Sequence, residues 1–196
     1  APRVAKGKNL NWVRTRQDSK AALMIAPETV FSTGGSLLMK AEIPAGWHTG
    51  KHLHGEEAIY IERGDGFMVL DDKRYYFHRG TIFHIPYRSS HQLFNTGKEP
   101  VLYISGLAWP LEAFLYMGRI EQIEDAGAND AAALAKTPPE ESQYWPTDDR
   151  RISMHEEQFE RSAETKHGAT YFLMGRSGKQ NGFKATAAAN SLIFTD

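Results

Sequence analysis

The chain has 196 residues, of which 41% are hydrophobic and 24% charged, a composition typical of a globular protein with one sizeable core. A formal net charge of -1 gives no indication of a nucleic-acid partner, and the absence of cysteine excludes disulfides, thiolate nucleophiles and cysteine-based metal sites. No apolar run has the length of a membrane span, so we expect no membrane partner and a cytoplasmic location.

Residues 1–20 are predicted to form a basic arm. Six Lys and Arg residues stand there against one acidic residue, Asp18. No apolar core follows these positive charges, so the segment does not have the pattern of a secretory signal. Charge runs of this kind usually lie in solvent, which is what we expect of the arm.

Residues 21–110 are predicted to form a β barrel. Short apolar runs separated by Gly, Pro, Asp or Asn are typical of a sandwich or barrel rather than of alternating strands and helices. Gly and Asp supply the backbone angles of tight turns, so Arg63–Gly66 and Leu70–Arg74 are candidate hairpin turns. The predicted strands are LLMKAEI, AIYI, FMVL, RYYF, TIFHI, HQLFN and VLYISGL.

Residues 111–168 are predicted to be a helical and proline-containing connector. Apolar residues recur at roughly helical spacing from Leu111 to Ile123, and AAALAK at Ala131–Lys136 predicts a second short helix. The prolines of Thr137–Pro146 exclude a helix interior or a central strand there.

Residues 169–196 return to β character. Ser191–Asp196 resembles Ser36–Ala41, the segment that leads into the histidine motif. Either this similarity is a coincidence and the segment packs on the first barrel, or a second barrel begins here and is cut off.

His52 and His54 are the first candidate site residues. Side chains alternate faces along a strand, so both imidazoles project from one face and Leu53 from the other. Histidine is the commonest metal ligand, and two residue rises, about 6–7 Å, allow both rings to reach one ion. A carboxylate from the next turn, Glu56 or Glu57, is a third ligand candidate, and this set suits a non-haem Fe(II) or related divalent ion.

His91 is the fourth candidate. It opens a predicted strand in which His91, Leu93 and Asn95 share a face. If this strand lies beside the first, the site contains three histidines and one glutamate. Four such groups buried without a partner would be costly, and a bound metal removes that cost.

The histidine segment resembles the first cupin motif. That motif reads Gly, five residues, His-x-His, three or four residues, Glu, six residues, Gly. Here only two residues precede the glutamate, but Glu57 keeps the six-residue step to Gly64, so we prefer Glu57 to Glu56 as ligand. The matching residues are Gly46, His52, His54, Glu57 and Gly64.

The second segment resembles the second cupin motif, which reads Gly, five residues, Pro-x-Gly, two residues, His, three residues, Asn. Arg88 replaces the glycine of the proline turn, which changes the chemistry of that loop. The matching residues are Gly80, Pro86, His91 and Asn95, with every spacing kept.

This resemblance implies an all-β fold, a cupin jelly-roll barrel that holds a metal near one mouth, followed by a helical and irregular C-terminal extension. HLHGEEAIYIERGDG and HQLFN also resemble gentisate-dioxygenase-like cupins, many of which have two barrels in one chain. The implied metal is Fe(II), with Mn, Ni or Zn as alternatives. Its implied ligands are His52, His54, Glu57 and His91.

The cavity around these ligands is predicted to be apolar, with Ile59 and Ile61 on the inward face of Glu57. Lys51, Arg88, Gln92 and Asn95 are its predicted polar groups. Arg88 or Lys51 would orient a substrate anion, since Arg binds carboxylates in a forked manner. Alternatively, Arg88 is a solvated turn residue.

Three functions stay open at this point. The first is an Fe(II)-dependent dioxygenase that uses O₂ on a small carboxylated aromatic compound, by gentisate-type ring cleavage. The second is a non-redox decarboxylase or sugar isomerase or epimerase, and the third is a non-catalytic cupin that binds a small molecule. Cupins commonly pair through sheet edges, so we expect a homodimer.

The remaining histidines are predicted to lie at the surface or in loops. For His48 an alternative is a contact to the ligands or the substrate. The others are His78, His84, His155 and His167.

Overall fold

The computed structural model describes residue 2 and residues 4–138, 144–145, 150–158, 170–172 and 193–195. Strands dominate this part of the chain. In chain order they are β1 Lys20–Ile25, β2 Leu37–Ile43, β3 Trp47–His48, β4 Lys51–Leu53, β5 Glu57–Arg63, β6 Gly66–Leu70, β7 Lys73–Phe77, β8 Thr81–Ile85, β9 His91–Asn95, β10 Val101–Leu107, β11 Glu121–Glu124, β12 Gly127–Ala128, β13 Tyr144–Trp145, β14 Arg150–Arg151, β15 Ser153–His155, β16 Thr170–Phe172 and β17 Ile193–Thr195.

Helices are few and short. The two α-helices are α1 Trp109–Phe114 and α2 Ala131–Ala135, and the 3-10 turns are Gly7–Asn9, Pro27–Thr29 and Glu156–Gln158. In the described part of the chain, no helix combines the length and the apolar character that crossing a membrane requires.

Two antiparallel sheets build the barrel. The first sheet has the order β1-β2-β10-β5-β8-β15, and the second has the order β11-β4-β9-β3-β12, with β6 on the far side of β9 and β7 beside β6. Consecutive strands such as β4 and β5 or β5 and β6 lie in different sheets, which is the connectivity of a jelly roll. The all-β barrel expected from the sequence is therefore confirmed.

Strand alternation creates the core. Along β5, Ile59 and Ile61 are buried inside the barrel, whereas Tyr60 and Glu62 are only half-buried on the outer face. Each such buried aliphatic side chain stabilises the fold by about 1.5–3 kcal/mol. The two isoleucines join one apolar cluster that also contains Ile43, Met68, Leu70, Phe77, Phe83, Ile85, Leu93 and Val101.

One of the two predicted hairpin turns is present. Asp71 and Asp72 join β6 to β7, and Asp71 has the left-handed φ of 52° that such a turn requires. The other prediction is wrong: β5 and β6 do not pair, because β5 pairs with β8 and β10 while β6 pairs with β7 and β9. Arg63–Gly66 is instead a crossing between sheets, turned by Gly64 at a φ of 92°.

The long helix predicted from Leu111 to Ile123 is also wrong in its second half. α1 ends at Phe114, Tyr116 follows with a φ of 58°, and Ile123 lies in β11 beside β4. The apolar spacing does not reflect a buried helix face, since Phe114 is 78% exposed. The segment forms a strand because the backbone N–H and C=O groups at the edge of β4 pair with it, and the spacing of apolar residues in the sequence does not show this edge. The second predicted helix is present as α2.

The ends of the chain differ from each other. The arm is less solvated than predicted, because Val13 pairs with Ala21 and Asp18 is buried. Near the C-terminus, β16 and β17 pair with each other, in agreement with the predicted β character. The start of a second barrel stays a prediction, since most of residues 169–196 lies outside the described residues.

Candidate metal centre

Three histidines from the second sheet meet inside the barrel. β4 and β9 are neighbours, with His52 directly opposite His91, and His54 follows the end of β4. The ring centroids are 4.3 Å (His52 to His91), 4.8 Å (His54 to His91) and 5.1 Å (His52 to His54) apart. One nitrogen from each ring lies within 4.8 Å of the other two, and all three residues are buried. Such a group can hold a metal ion.

Backbone carbonyls determine which nitrogen of each ring faces the centre. Nδ1 of His52 lies 2.9 Å from the Gly50 oxygen, and Nδ1 of His54 lies 2.9 Å from the Gly55 oxygen. Nδ1 of His91 lies 3.1 Å from the Ser89 oxygen. A carbonyl oxygen only accepts, so each Nδ1–H donates and each Nε2 is left to bind an ion. This is the usual arrangement of metal-ligating histidines.

Glu57 brings a carboxylate from the first sheet to the same place. Its Oε2 lies 3.3 Å from Nε2 of His54 and 3.4 Å from Nε2 of His91, while Ser105 donates a hydrogen bond to Oε1. Burial alone would raise the pKa of Glu57, but the hydrogen bonds from His54 and His91 outweigh it and hold that pKa well below its usual range.

The histidines themselves differ in electrostatics. Burial, together with the neighbouring His91 and His54, lowers the pKa of His52 to about 3. Burial acts in the same direction on His54, but the hydrogen bond and charge of Glu57 outweigh it and raise the pKa of His54. Without a cation, Glu57 and the imidazoles must compensate one another, and a divalent ion would take over that role. The residues present therefore fit a metal with nitrogen and oxygen ligands.

Glu56 points away from this centre. Its Oε1 lies 2.6 Å from Nε2 of His84, and both side chains are completely buried. The prediction of His84 at the surface or in a loop is therefore wrong, because His84 lies within β8 as the buried partner of Glu56. Of the two candidate carboxylates, Glu57 faces the histidines.

Gly55 leaves room for the side chain of Glu112, which packs against it. A Cβ at this position would overlap the carboxylate of Glu112, which α1 places there. Glu112 Oε1 also accepts a hydrogen bond of 3.2 Å from the backbone N–H of Glu56, and burial raises the pKa of Glu112. Helix α1 thus holds the loop that connects two of the candidate ligands, His54 and Glu57.

Arg88 stabilises the same region through its backbone. It has a φ of 64°, consistent with a position where the cupin pattern has glycine, and its N–H donates to the His54 oxygen over 2.7 Å. Its guanidinium forms a half-exposed ion pair of 2.9 Å with Glu121 on β11. Arg88 therefore corresponds to the alternative prediction, a turn residue in contact with solvent.

An inner cavity of about 270 Å³ extends from the histidines towards solvent. Its outer walls are largely apolar, and within the described residues no Lys or Arg lines it, whereas Asp18, Glu28 and Glu57 do. The lining comprises Thr15, Gln17, Asp18, Ala21, Leu23, Glu28, Leu37, Met39, Thr49, His52, His54, Glu57, Ile59, His91, Leu93, Tyr103, Leu107, Trp109 and Ile120.

Lys51 and Gln92 border a different space, an outer cavity of about 410 Å³ on the opposite face of the second sheet. Gln92 donates to the Thr49 oxygen over 3.0 Å and lies 3.1 Å from Nδ1 of His48. The structure therefore does not bring the predicted carboxylate-binding groups, Lys51, Arg88 and Gln92, to the histidines. Asn95 is also a structural residue, donating to the Ile43 and Glu99 oxygens over 2.9 Å each.

Sequence reasoning missed two residues of the inner cavity. Asp18 is 4% exposed, and its Oδ1 accepts a hydrogen bond from the hydroxyl of Tyr103. Burial raises the pKa of Asp18 to about 6 and that of Tyr103 well above its usual value. The sequence gave no indication that Asp18 is buried, because it is a single acidic residue among basic ones. Its segment TRQD does have the pattern of a tight turn.

Comparison with known proteins identifies the class. The model of the Cupin domain family matches residues 39–106, which include all four candidate ligands. An uncharacterised protein of Methanocaldococcus jannaschii is 35% identical over 66 residues, which are 33% of this chain and 53% of that protein. The chain thus spans about half the length of this curated relative. Residues 39–106 of this chain form a cupin domain.

Solved structures agree with this fold. The coconut allergen cocosin superimposes with a TM-score of 0.60 at 12% identity, over 89% of this chain and 60% of that one. Salicylate 1,2-dioxygenase from Pseudaminobacter salicylatoxidans superimposes with a TM-score of 0.51 at 14% identity, over 70% of this chain and 43% of that one. At this identity, the similarity establishes the fold alone.

Proposed function

We propose that the protein is a non-haem Fe(II)-dependent dioxygenase acting on a small aromatic compound. The observation that carries the proposal is the convergence of three imidazole Nε2 atoms and the Glu57 carboxylate at the inner end of a cavity with largely apolar walls. Nitrogen and oxygen ligands with open positions suit Fe(II). When bound, the ion would supply the redox chemistry and bring O₂ and substrate together.

The size of the inner cavity limits the substrate. Its volume of about 270 Å³ lies just below the usual range of ligand pockets, about 300–1,000 Å³, so we expect a molecule of one small ring. Leu37, Met39 and Leu107 would pack against the ring and exclude water. No described Lys or Arg lines the cavity, so a substrate carboxylate finds no cation of the chain there. Any anionic group of the substrate would have to be neutralised at the metal itself.

Oxygen consumption tests this proposal. The protein is loaded anaerobically with Fe(II), and O₂ uptake is followed with gentisate, salicylate and catechol, with 4-hydroxybenzoate as a non-chelating control. We expect uptake with ortho-chelating compounds, abolished in His52→Ala and His91→Ala and kept in Gln92→Ala, which alters the opposite face of β9. Metal-loaded, folded protein that consumes no O₂ with any of these compounds would refute the dioxygenase.

A second candidate is a metal-dependent enzyme without redox chemistry, such as a decarboxylase or an isomerase. The Asp18–Tyr103 pair favours it, because a buried carboxylate beside a metal can move protons. This candidate predicts turnover under anaerobic conditions with Mn(II), Ni(II) or Zn(II). Solvent deuterium entering the substrate under those conditions would support it against the dioxygenase.

A further inference from the structure

Asp18 is a buried carboxylate that the metal site does not use. It lines the inner cavity together with the three histidines, and it lies close enough to Glu57 and His54 for their charges to affect it. Oδ1 accepts the hydrogen bond from Tyr103. Among the described residues, Oδ2 receives no hydrogen bond, so half of the carboxylate has no protein partner.

Hydrogen bonds fix the backbone turn that carries this carboxylate. Thr15 N–H donates to the Asp18 oxygen and Asp18 N–H to the Thr15 hydroxyl, both over 2.9 Å, which closes a tight turn. The Gln17 oxygen accepts a 2.7 Å hydrogen bond from the N–H of Gly50, two residues before His52. The turn is therefore tied to the strand that carries the first candidate ligand, and Asp18 has a defined position relative to it.

The charge of Asp18 has no structural explanation. A neutral amide would also accept the Tyr103 hydroxyl, whereas burying a carboxylate without a cation costs free energy. The described lining contains two further acids, Glu28 and Glu57, and no Lys or Arg. A buried, uncompensated charge in a cavity is a common mark of function. With a pKa of about 6, raised by burial, the carboxylate is ionised at pH 7 and basic enough to accept a proton.

We propose that Asp18 is the proton acceptor of the inner cavity, taking the proton from a hydroxyl group of the bound ligand so that the ligand is held as its anion beside the three histidines. In this step the ligand O–H bond breaks, the electron pair stays on the ligand oxygen, and the proton goes to the Asp18 carboxylate. No oxidant or reductant is needed. Tyr103 is a positioning residue, because its hydroxyl holds Oδ1 in place. The proposal rests on the proposed function only in requiring a metal-loaded cavity that binds a hydroxylated molecule.

Proton counting tests it. The probe is catechol, which is neutral in water near pH 7, bound to Zn(II)-loaded protein, in which no redox turnover occurs. Calorimetry in buffers of different ionisation enthalpy gives the protons released per catechol, and ultraviolet absorption shows whether the bound catechol is an anion. In the wild type at pH 7 we expect anionic catechol with no proton released, because the negative charge of the bound anion raises the pKa of the neighbouring Asp18 carboxyl further, so that Asp18 retains the proton.

Asp18→Asn keeps the size of the side chain and an acceptor for Tyr103. In this variant we expect one proton released per catechol and an affinity at pH 7 about tenfold lower. Asp125→Asn is the matched control, since it removes an exposed carboxylate that pairs with Arg16, on a segment bonded to the same arm. We expect it to release no proton, like the wild type. Zinc content and thermal unfolding establish that each variant is folded and loaded.

Tyr103→Phe tests the proposal even if Asp18→Asn does not fold. The Tyr103 hydrogen bond lowers the pKa of Asp18, so its removal should raise the pH at which the catechol complex begins to release its proton. Equal proton release by wild type and Asp18→Asn, or an unchanged release pH in Tyr103→Phe, would overturn the role of Asp18 alone. Zinc-loaded wild type that binds no catechol would count against the proposed function as well.

Discussion

The inner and outer cavities lie on opposite faces of the same sheet, and their linings are one residue apart in sequence. His52 and His91 face the inner cavity, while their neighbours Lys51 and Gln92 face the outer one. The inner cavity combines buried nitrogen ligands, carboxylates and apolar walls; the outer one is bordered by exposed Asp71 and Asp72 and two lysines. The comparison shows that strand alternation, more than residue type, decides which cavity each polar side chain faces and therefore which groups it can interact with.

The largest expected effect separates the two faces. His52→Ala or His91→Ala removes a ligand and should weaken binding of Fe(II) or Zn(II) by at least about 100-fold. Lys51→Ala and Gln92→Ala, one residue away, should leave metal affinity within about twofold, since their side chains do not reach the inner cavity. Isothermal titration calorimetry measures both, and equal losses on the two faces would contradict the assignment.

Adjacent glutamates provide a second test. Glu57→Gln should lower metal affinity strongly, and in the metal-free protein it should also cost stability, because it removes the buried carboxylate that His54 and His91 contact. Glu56→Gln should keep metal affinity but lower the free energy of unfolding by about 2–4 kcal/mol, because it disrupts the buried pair with His84. Urea unfolding and metal titration on both variants check that Glu57 binds the metal and Glu56 stabilises the fold. A stable Glu56→Gln variant that binds no metal would reverse these two roles.

Asp18 predicts a pH dependence of stability in the metal-free protein. Its folded pKa of about 6 exceeds the ordinary 3.8, so the native state binds the proton more tightly than the unfolded state. The stabilisation is complete below pH 3.8 and is lost as pH rises through about 6, on the order of 3 kcal/mol in all. Asp18→Asn should therefore be more stable than wild type at pH 7, with the difference vanishing near pH 4.

Exposed Asp72 of the outer cavity supplies the control for that profile. Urea unfolding between pH 4 and 7 should give Asp72→Asn the same slope as wild type. If Asp18→Asn also keeps the wild-type slope, Asp18 is not a buried charge.

Gly55 tests the contact between α1 and the metal loop. Gly55→Ala places a Cβ against the Glu112 carboxylate and should cost about 1–3 kcal/mol of stability, together with some metal affinity. Glu112→Ala opens that space, so the double variant should recover part of the loss. A double variant whose loss equals the sum of the two single losses would show that the residues do not touch.

The smallest effect is expected at Arg88. Arg88→Gly loses a half-exposed ion pair with Glu121 but relieves the left-handed backbone, so stability should change by less than about 1 kcal/mol. Neither metal affinity nor the KM for a carboxylated substrate should change, because the guanidinium points away from the inner cavity. A KM increase of tenfold or more would return Arg88 to the substrate-binding role considered from the sequence.

The sequence by itself determined the barrel and the set of candidate ligands. Apolar runs of strand length define β2 and β5 to β10, and the spacing of His52, His54, Glu57 and His91 is local enough to be read along the chain. The strands and the shared face of His52 and His54 follow from period-two alternation and turn residues, which act over a few neighbours. The jelly-roll barrel and the preference for Glu57 over Glu56 came from the resemblance to the two cupin motifs.

Only the tertiary structure decided which side chains share a cavity. Asp18 reaches the inner cavity from the N-terminal arm, Glu112 reaches Gly55 from α1, and His84 is buried beside Glu56. Glu121–Glu124 forms a strand by pairing with the edge of β4, although the apolar residues leading into it recur at helical spacing. The guanidinium of Arg88 pairs with Glu121 instead of facing the inner cavity. Each outcome depends on contacts between segments that are distant in sequence. The free energy of these contacts exceeds the local conformational preference of the residues, and such contacts produce no local pattern in the sequence.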